Sequence, residues 1–296
     1  KGFPCIERAK NNIYKTNKAV LQEWQKISDY EPVINALFEY KQLKTMYNTF
    51  VGNEEEKTGF WKYLKHHQDG TTRVHSSFAT MLADSGRNRS SAPNLQNGLK
   101  RGNLARLYRQ IFEPPKDHYI AEWDAAGLQL RIAGILSDDP IMREAFLDKK
   151  IKGDLHSITA QGIFARDVSL EEFMAKKSEA PYKDYRFMAK AVNFSFLFGT
   201  SAFSFAVRSL KGNWSIEDCK EFIQANSTPA FNLEEKRKKL QDMMDQKGAI
   251  GSTLPEAEKE KLSYYWVCAI VMKDRFFTKY GRLHSWLQEQ VSWGTE

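Results

Sequence analysis

The sequence predicts an α+β fold that is mostly helical. From Gly127 onward, apolar residues recur at helical spacing over most of the chain. Residues 71–97 are instead rich in Ser, Thr, Asn and Gly, which is typical of short strands and loops. Between these regions, the run Ile120–Asp124 is predicted to be a short strand that ends in an acidic residue.

Local signals place several helix boundaries. Pro32 predicts the start of a helix that runs to about Thr49. Asp138-Asp139-Pro140 predicts the end of one helix and the start of the next, and Ser215 is a predicted N-cap. Residues 233–247 are dense in charge and are expected to form an exposed, solvated helix.

Composition limits the class of protein. The 296 residues suit one large domain or two smaller ones, and 42% hydrophobic residues can form a substantial core. The net charge of +7 favours an anionic partner such as nucleic acid, although many proteins without such a partner are also basic. The longest apolar run, Tyr264 to Met272, is far shorter than the roughly 20 residues that a membrane-spanning helix needs.

Cysteine usage indicates the compartment. Cys5, Cys219 and Cys268 are far apart and have neither zinc-site spacing nor the spacing of a disulfide framework. This pattern fits a reducing cytoplasm.

The most informative segment is a stripe of four residues spaced four apart: Arg186, Lys190, Phe194 and Phe198. On an α-helix this spacing places them along one slowly drifting line. Two cations can hold a polyphosphate and two rings can cover a flat base, so the stripe suits a nucleotide. The alternative is an ordinary amphipathic helix with its rings in the core.

A second candidate is Asp124, at the end of the predicted strand. A carboxylate there, followed by small residues and Gly127, is well placed to bind Mg²⁺ through oxygen. The alternative is an Asp that caps the following helix. The segment Pro93–Asn97, followed by Lys100, Arg101, Arg106 and Arg109, is by itself a polar turn and a solvated basic face.

In this order, the segments resemble the family A DNA polymerases. Asp124 to Arg131 is similar to motif A of that family, and Arg186 to Gly199 is similar to motif B. Thr71-Thr72-Arg73, Pro93–Asn97 and Asp154-Leu155-His156 are similar to three further family elements. The resemblance covers roughly residues 35–296, and the Gly-Leu-x-Leu-Arg form of motif A leans toward phage members.

The resemblance implies a partial right-hand polymerase fold. Residues 1–50 would be a thumb remnant with the thumb-to-palm helix, and residues 51–136 the first part of the palm, with motif A and an antiparallel sheet. Residues 137–290 would be the helical fingers with motif B. Residues 291–296 would begin the return to the palm.

The implied activity is template-directed DNA synthesis, in which a deoxynucleoside triphosphate is transferred to a primer 3′-hydroxyl by a two-metal mechanism. Two Mg²⁺ ions would be held by Asp124 and the carbonyl of Ala125. Arg186 and Lys190 would hold phosphates, and Lys190 could protonate the leaving pyrophosphate. His156 would also contact the phosphates; its alternative is a helix-capping or core histidine.

The resemblance assigns the remaining site residues to the base, the sugar and the DNA. Phe194 would pack on the incoming nucleotide, Phe198 and Gly199 would lie by the templating base, and Gln129 would be the steric gate below the sugar. The primer–template backbone and minor groove would be held by four residues: Arg73, Gln96, Asn97 and Arg101.

The chain also departs from the family pattern. Gln129 stands where Glu is usual, Phe198 where Tyr is usual, and Ser195 where Gly is usual; extra residues occur around 77–90 and 226–262. The His-Asp-Glu of motif C is absent from these 296 residues, and the chain begins at Lys1 without a Met. We therefore expect a fragment, or one part of a split polymerase whose motif C could be on a second polypeptide, and we expect this chain alone to be inactive.

Two other functions share some of these features. A single-subunit phage-type RNA polymerase has the Asp and the Arg-x3-Lys pattern, although Pro93–Asn97 and the Asn193-Phe194 pair argue against it. A non-catalytic DNA-binding derivative of a polymerase would explain Gln129 and the absent motif C. The expected location is the cytoplasm of a bacterial or phage-infected cell, with no membrane partner.

Overall fold

A computed structural model describes residues 16, 18–25, 27–83, 86–99, 103–229, 231–246, 248–249 and 254–293. The chain divides into two compact units, Lys1–Glu122 and Trp123–Glu296. The prediction of a mostly helical α+β fold is confirmed. In the described part of the chain, no helix is long and apolar enough to cross a membrane.

In its described residues, the first unit combines three α-helices with two small β-ladders. Its helices are α1 (Lys18–Gln25), α2 (Glu31–Met46) and α3 (Asn103–Gln110). Its strands are β1 (Leu64–His66), β2 (Thr72–Val74), β3 (Ser77–Ala79) and β4 (Arg89–Ser91). β1 pairs with β2, and β3 pairs with β4, both antiparallel. The strands predicted within 71–97 are therefore present.

Two apolar clusters stabilise the described part of this unit. One joins α1 to α2 through Val20, Leu21 and Ile34. α2 begins at Glu31 with Pro32 in its first turn, as predicted, and continues into a π-helical turn at Tyr47–Val51. The other cluster is aromatic, and the rings of Phe50 and Tyr108 have centroids 4.6 Å apart within it.

The predicted strand Ile120–Asp124 is wrong. Residues 118–125 are irregular, Tyr119 and Trp123 are 96% and 91% exposed, and no backbone hydrogen bond joins 119–124 to any described residue. A strand is stable only when a neighbour pairs with its backbone, and the strands that the structure describes pair among themselves.

The second unit is helical. Its helices are α4 (Leu128–Leu136), α5 (Pro140–Leu147), α6 (Leu155–Phe164), α7 (Leu170–Lys176), α8 (Tyr182–Leu197), α9 (Ala202–Phe205), α10 (Ile216–Asn226), α11 (Leu233–Asp245), α12 (Glu256–Lys279) and α13 (Gly281–Trp293). A large core surrounds the middle of α12, where Val267, Cys268 and Met272 are fully buried.

The predicted helix boundaries in this unit are confirmed where polar side chains cap the backbone. Asp139 accepts hydrogen bonds from the N–H groups of Ile141 and Met142, both at 3.1 Å, and starts α5. Ser215 and Asp218 form a capping box that starts α10. These bonds satisfy N–H groups that have no partner within the helix.

The charge-rich segment forms α11 as expected, from Leu233 to Asp245, but this helix is not solvated on all sides. Leu233 and Met244 of α11 are fully buried, and Arg237 is only 6% exposed. The Arg237 guanidinium donates to Glu234, to Gln241 at 2.9 Å and to Ser263 of α12 at 2.9 Å. The charge is tolerated inside because its donors have acceptors.

The aromatic cluster of the first unit predicts the effect of a methyl group at Gly98. A Cβ there would lie 2.5 Å from Cε1 of Tyr108, whose ring is fixed by its aromatic neighbours. We expect Gly98→Ala to lower the free energy of unfolding by about 1–3 kcal/mol, measured by denaturant titration. Gly212→Ala, where a Cβ meets no atom within 4 Å, is the control and should be neutral or slightly stabilising. Equal effects of the two substitutions would contradict the proposed clash.

Candidate nucleotide site

The predicted stripe lies on α8 and at its C-terminal end. Arg186, Lys190 and Phe194 are within the helix, and Phe198 is its C-cap residue. Arg186 and Phe194 are half-buried, whereas Lys190 is exposed and forms no ion pair or hydrogen bond with any described residue. The opposite face of the helix is in the core, where Met188, Val192 and Phe196 are buried. The four stripe residues are therefore not core residues.

The end of α8 places Phe198 in solvent. Gly199 has φ +73°, and its N–H donates to the carbonyl of Phe196 at 3.2 Å. The N–H of Thr200 donates to the carbonyl of Ser195 at 2.9 Å, which completes a Schellman motif. The positive φ favours glycine at this position. The Phe198 ring is 65% exposed beyond the last turn.

Asp154 joins the start of α6 to α8. Its carboxylate caps α6 by accepting from the N–H of Ser157 at 3.3 Å and from the Ser157 hydroxyl at 2.9 Å. Arg186 of α8 donates to the same carboxylate through Nε, 3.2 Å from each oxygen, and through Nη2 at 3.0 Å. Lys177 donates from its ammonium at 3.0 Å.

These contacts fix the charge of Asp154 and the direction of Arg186. Burial opposes ionisation, but the hydrogen bonds from Arg186 and Lys177 outweigh it and lower the pKa of Asp154 to about 2. The Nη1 group of Arg186 donates to no described residue and the side chain is 40% exposed, so donors remain for a ligand.

His156 lies beside the stripe as a neutral donor. Its ring centroid is 5.8 Å from that of Phe194, and Asn193 Nδ2 lies 2.8 Å from its Nδ1. Burial, followed by the charges of Arg186 and Lys190, lowers the pKa of His156 to about 4. Asp154, not His156, caps α6. Since an amide nitrogen can only donate, Nδ1 accepts and the ring proton is on Nε2.

Asp124 precedes α4 in the same unit but does not cap it. The N-cap of α4 is Gly127, with φ +64°, and no side chain bonds to this helix end. Asp124 is exposed and makes no hydrogen bond or ion pair with described residues. The capping alternative is therefore excluded.

The rest of motif A is held by Arg131. Its Nε donates to the carbonyl of Ala126 at 2.9 Å, and its guanidinium lies 4.5 Å from the centre of the Phe146 ring. The Ala125 carbonyl accepts one hydrogen bond, from Leu128 N–H at 3.3 Å, and keeps a second lone pair. Gln129 is half-buried in the first turn of α4.

The donors at motif A suit a hard cation. The carboxylate of Asp124 and the carbonyl of Ala125 are oxygen ligands, which Mg²⁺ prefers. In the described ranges, no group of three or more His, Cys, Asp or Glu side chains could hold a metal ion. Asp124 and Ala125 can therefore supply some, but not all, of the ligands of a magnesium site.

The predicted DNA-contacting residues belong to the first unit. Arg73 of β2 is bound within its own hairpin, where Nε donates to Thr71 Oγ1 at 3.0 Å and Nη2 pairs with Asp69. Gln96 accepts from the N–H of Ser90 at 3.2 Å through its amide oxygen, and Asn97 is exposed. Arg101 lies outside the described residues.

The structure thus brings together Arg186, Lys190, His156 and Phe194 at the contact of α6 with α8. No hydrogen bond, ion pair or ring contact between described residues joins Asp124, Ala125 or Gln129 to this group. The site also includes two residues to which sequence reasoning gave no role, Asp154 and Asn193. The Asp-Leu-His triplet was a signal for the first; the second stands inside motif B, next to Phe194.

The site thus combines two cations and two rings along one outward face of a helix, with His156 beside them. Comparison with known proteins is more specific: the model of DNA polymerase family A matches residues 2–253. The chain belongs to this family, which disfavours the RNA polymerase alternative.

Individual relatives agree with this assignment. DNA polymerase I of Synechocystis sp. is 30% identical over 194 residues, covering 65% of this chain and 17% of its own length. DNA polymerase I of Bacillus caldotenax is 30% identical over 224 residues, covering 75% and 22%. The chain therefore spans about a fifth of these relatives.

A solved structure gives the fold. The polymerase domain of Pol1 from M. smegmatis, in complex with DNA primer-template and dNTP, matches with a TM-score of 0.51 at 21% identity. The match covers 95% of this chain and 47% of that one. The prediction of a partial polymerase fold is confirmed.

Asp154 should stabilise the second unit through its charge. Asp154→Asn keeps an oxygen for the helix cap but removes the charge that Arg186 and Lys177 share. We expect the free energy of unfolding to fall by about 1–3 kcal/mol, measured by denaturant titration. Glu172→Gln, which removes the exposed pair with Lys176, is the control and should cost less than about 1 kcal/mol. A loss no larger than that of the control would show that the Asp154 contacts contribute little.

His156 should make stability depend on pH below neutrality. Its pKa falls from 6.5 to about 4 on folding, so between these values the unfolded chain binds a proton that the folded chain does not. The free energy of unfolding should therefore decrease as pH falls from 6.5 toward 4. His156→Gln should flatten this decrease, whereas His118→Gln, at an exposed site, should leave it unchanged. Parallel pH profiles for His156→Gln and the unchanged chain would contradict the neutral state.

Proposed function

We propose that this chain is part of an enzyme for template-directed DNA synthesis, which transfers a deoxynucleoside triphosphate to a primer 3′-hydroxyl. The observation that carries the proposal is the outward stripe on α8, where two cations precede two rings and His156 stands alongside. A helix face of this kind can contact a nucleotide from its phosphates to its base.

Three side chains would bind the triphosphate. Arg186 would offer the donors that Asp154 leaves free, and its planar fork suits phosphate oxygens. Lys190, which has no anionic partner among the described residues, would bind as a point charge and protonate the leaving pyrophosphate. His156 would donate one neutral hydrogen bond from Nε2, because its lowered pKa keeps the ring uncharged near neutrality.

Aromatic and polar groups would select the base and the sugar. The half-buried Phe194 ring would pack against the incoming nucleotide, and the exposed Phe198 ring with Gly199 would lie by the templating base. Gln129 would crowd a 2′-hydroxyl from below. Its amide can donate to that hydroxyl, which a carboxylate cannot do, so discrimination against ribonucleotides would be weaker than with Glu.

Two Mg²⁺ ions would be held by Asp124 and the carbonyl of Ala125, together with a carboxylate from motif C. When bound, the ions lower the pKa of the primer hydroxyl and stabilise the charge on the phosphates. The support for this role is that Asp124 is exposed and has no protein partner among the described residues.

The DNA partner would be a primer–template duplex. Arg73, Gln96, Asn97 and Arg101 would contact its backbone and minor groove, which fixes position without reading sequence. The net charge of +7 supports an anionic partner of this kind.

The proposal extends to the whole enzyme. The thumb, palm and fingers would occupy residues 1–50, 51–136 and 137–290, and 291–296 would begin the return to the palm. Motif C would be supplied by a further segment or by a second polypeptide. The proposed location is the cytoplasm of a bacterial or phage-infected cell: the free, buried thiols of Cys219 and Cys268 support a reducing compartment, and the bacterial relatives support the kind of cell.

The first test is nucleotide binding by the 296-residue chain. Lys190→Ala should raise the dissociation constant for a deoxynucleoside triphosphate about tenfold or more, because a charge-assisted contact to phosphate is lost. Lys220→Ala, at another exposed lysine of the same unit, should leave it unchanged. Binding can be measured by calorimetry, and equal affinities for both variants would exclude the stripe as the phosphate site.

Extension must be measured in the assembly that also supplies motif C. There, Asp124→Ala should abolish primer extension and leave the affinity for duplex DNA nearly unchanged. Retained extension would remove Asp124 from the catalytic role, and normal extension by Lys190→Ala would exclude its part in leaving-group protonation. DNA binding without extension in any assembly would instead favour the non-catalytic alternative.

A further inference from the structure

A line of hydrogen bonds runs from His156 into the core of the second unit. His156 Nδ1 lies 2.8 Å from Asn193 Nδ2, and Asn193 Oδ1 lies 2.7 Å from Thr159 Oγ1. Thr159 Oγ1 lies 2.8 Å from the hydroxyl of Tyr280, a residue 121 positions further along the chain. Asn193, Thr159 and Tyr280 are each no more than 1% exposed. The line therefore connects the candidate nucleotide site to a fully buried phenol.

The burial of Tyr280 and the short contact from Thr159 to Asn193 order the donors of this line toward His156. Thr159 is the one described hydrogen-bond partner of the Tyr280 hydroxyl, and burial raises the pKa of Tyr280, so the phenol keeps its proton and donates it to Thr159. Thr159 Oγ1 has one proton and two acceptors, Asn193 Oδ1 at 2.7 Å and the carbonyl of Leu155 at 2.9 Å, and we assign the proton to the shorter contact with Asn193. With its oxygen used in this way, the Asn193 amide presents its nitrogen to His156 Nδ1.

The position of Tyr280 is itself fixed. It lies at the junction of α12 and α13, where its N–H donates to the carbonyl of Phe276 at 2.9 Å and its ring packs on the Phe276 ring at 5.1 Å. Close by, the N–H of Leu283 donates to Asp139 Oδ2 at 3.2 Å. The phenol hydroxyl is therefore held in one place.

We propose that Tyr280 is a positioning residue for the nucleotide site: through Thr159 and Asn193 it holds His156 in the Nε2–H tautomer, so that the outer ring nitrogen is always a donor to a nucleotide phosphate. The tautomer part rests on the hydrogen-bond geometry and the burial of Tyr280. The phosphate part rests on the proposed function.

Loss of the Tyr280 hydroxyl has a specific consequence. The phenol occupies one lone pair of Thr159 and polarises its hydroxyl, which strengthens the donation to Asn193. Without it, the Thr159 proton can shift fully to its other acceptor, the carbonyl of Leu155, which already lies 2.9 Å away, and Thr159 can accept from the Asn193 amide instead. The amide then turns over, its oxygen faces His156, and the ring proton moves to Nδ1. The outer nitrogen becomes an acceptor, which repels phosphate oxygens.

The test is Tyr280→Phe, with Tyr265→Phe as the matched control. Tyr265 is on α12, is similarly buried, and donates from its hydroxyl to the carbonyl of Trp214 at 3.1 Å, but it has no part in the line to His156. Nitrogen NMR of the ¹⁵N-histidine-labelled 296-residue chain reports which ring nitrogen carries the proton. His156→Gln assigns the signal among the six histidines.

We expect His156 to be in the Nε2–H form in the unchanged chain and in Tyr265→Phe, and to shift toward the Nδ1–H form in Tyr280→Phe. An unchanged tautomer in Tyr280→Phe, or equal shifts in both variants, would overturn the proposal. If Tyr280→Phe does not fold, the His156 tautomer can be compared between Thr159→Val, which lacks the hydroxyl, and Thr159→Ser. The shift should then occur in the Val variant and be absent from the Ser variant, which keeps the hydroxyl; any other result overturns the proposal.

Nucleotide affinity is the second measurement. The dissociation constant for a deoxynucleoside triphosphate should rise about threefold to tenfold in Tyr280→Phe and remain unchanged in Tyr265→Phe. In the extending assembly, KM should rise while kcat changes little. A tautomer shift with unchanged affinity would overturn the phosphate part. If the unchanged chain binds no nucleotide, the proposed function fails, and the tautomer result still decides the positioning role.

Discussion

The arrangement of the second unit depends on one carboxylate, that of Asp154. It caps α6, accepts a fork of hydrogen bonds from α8 and pairs with Lys177 before α8 begins. A buried carboxylate would be costly without these partners, and loss of the carboxylate would leave two cations without a counter-charge. The same contact fixes the spacing of α6 and α8 and orients Arg186. The contacts of Asp154 therefore support both the stability of the second unit and the geometry of the candidate site.

A second polar contact fixes the same helix pair one to two turns further along. Thr159 of α6 and Asn193 of α8 are both buried, and their hydrogen bond has no competition from water. Two such contacts along one interface define its register more strictly than apolar packing does, because a shift by one turn would leave buried polar atoms without partners. The stripe on α8 is therefore presented in a fixed orientation relative to His156.

Much of the fold was predictable because its signals are local. Asp139-Pro140 and Ser215 mark helix starts through bonds that span two or three residues, and the four-residue spacing of the stripe is a property of the helix itself. The irregular backbone at 120–124 was not predictable from its own residues, since a strand exists only with a paired neighbour. The charge-rich segment that became α11 likewise depends on a partner, because Ser263 of α12 accepts from Arg237.

The site likewise has a part that the sequence indicated and a part that only the packing of helices determines. Sequence spacing and family resemblance identified Arg186, Lys190, Phe194 and His156, but not what holds them. Asp154 and Arg186 are 32 residues apart, and Thr159 and Tyr280 are 121 apart. Pairings at such distances depend on how helices pack, which no single segment encodes. The charge state and tautomer of His156 follow from that packing, so they too required the structure.

Two phenylalanines at the C-terminal end of α8, Phe196 and Phe198, have different structural roles. Phe196 is fully buried and packs against Phe205 at 4.9 Å and Phe276 at 5.9 Å, whereas Phe198 stands in solvent beyond the Schellman turn. A change at 196 disturbs the core, whereas a change at 198 acts on a residue that is 65% exposed. Substitutions at 198 that keep the helix end intact should therefore alter ligand contacts more than the population of folded protein.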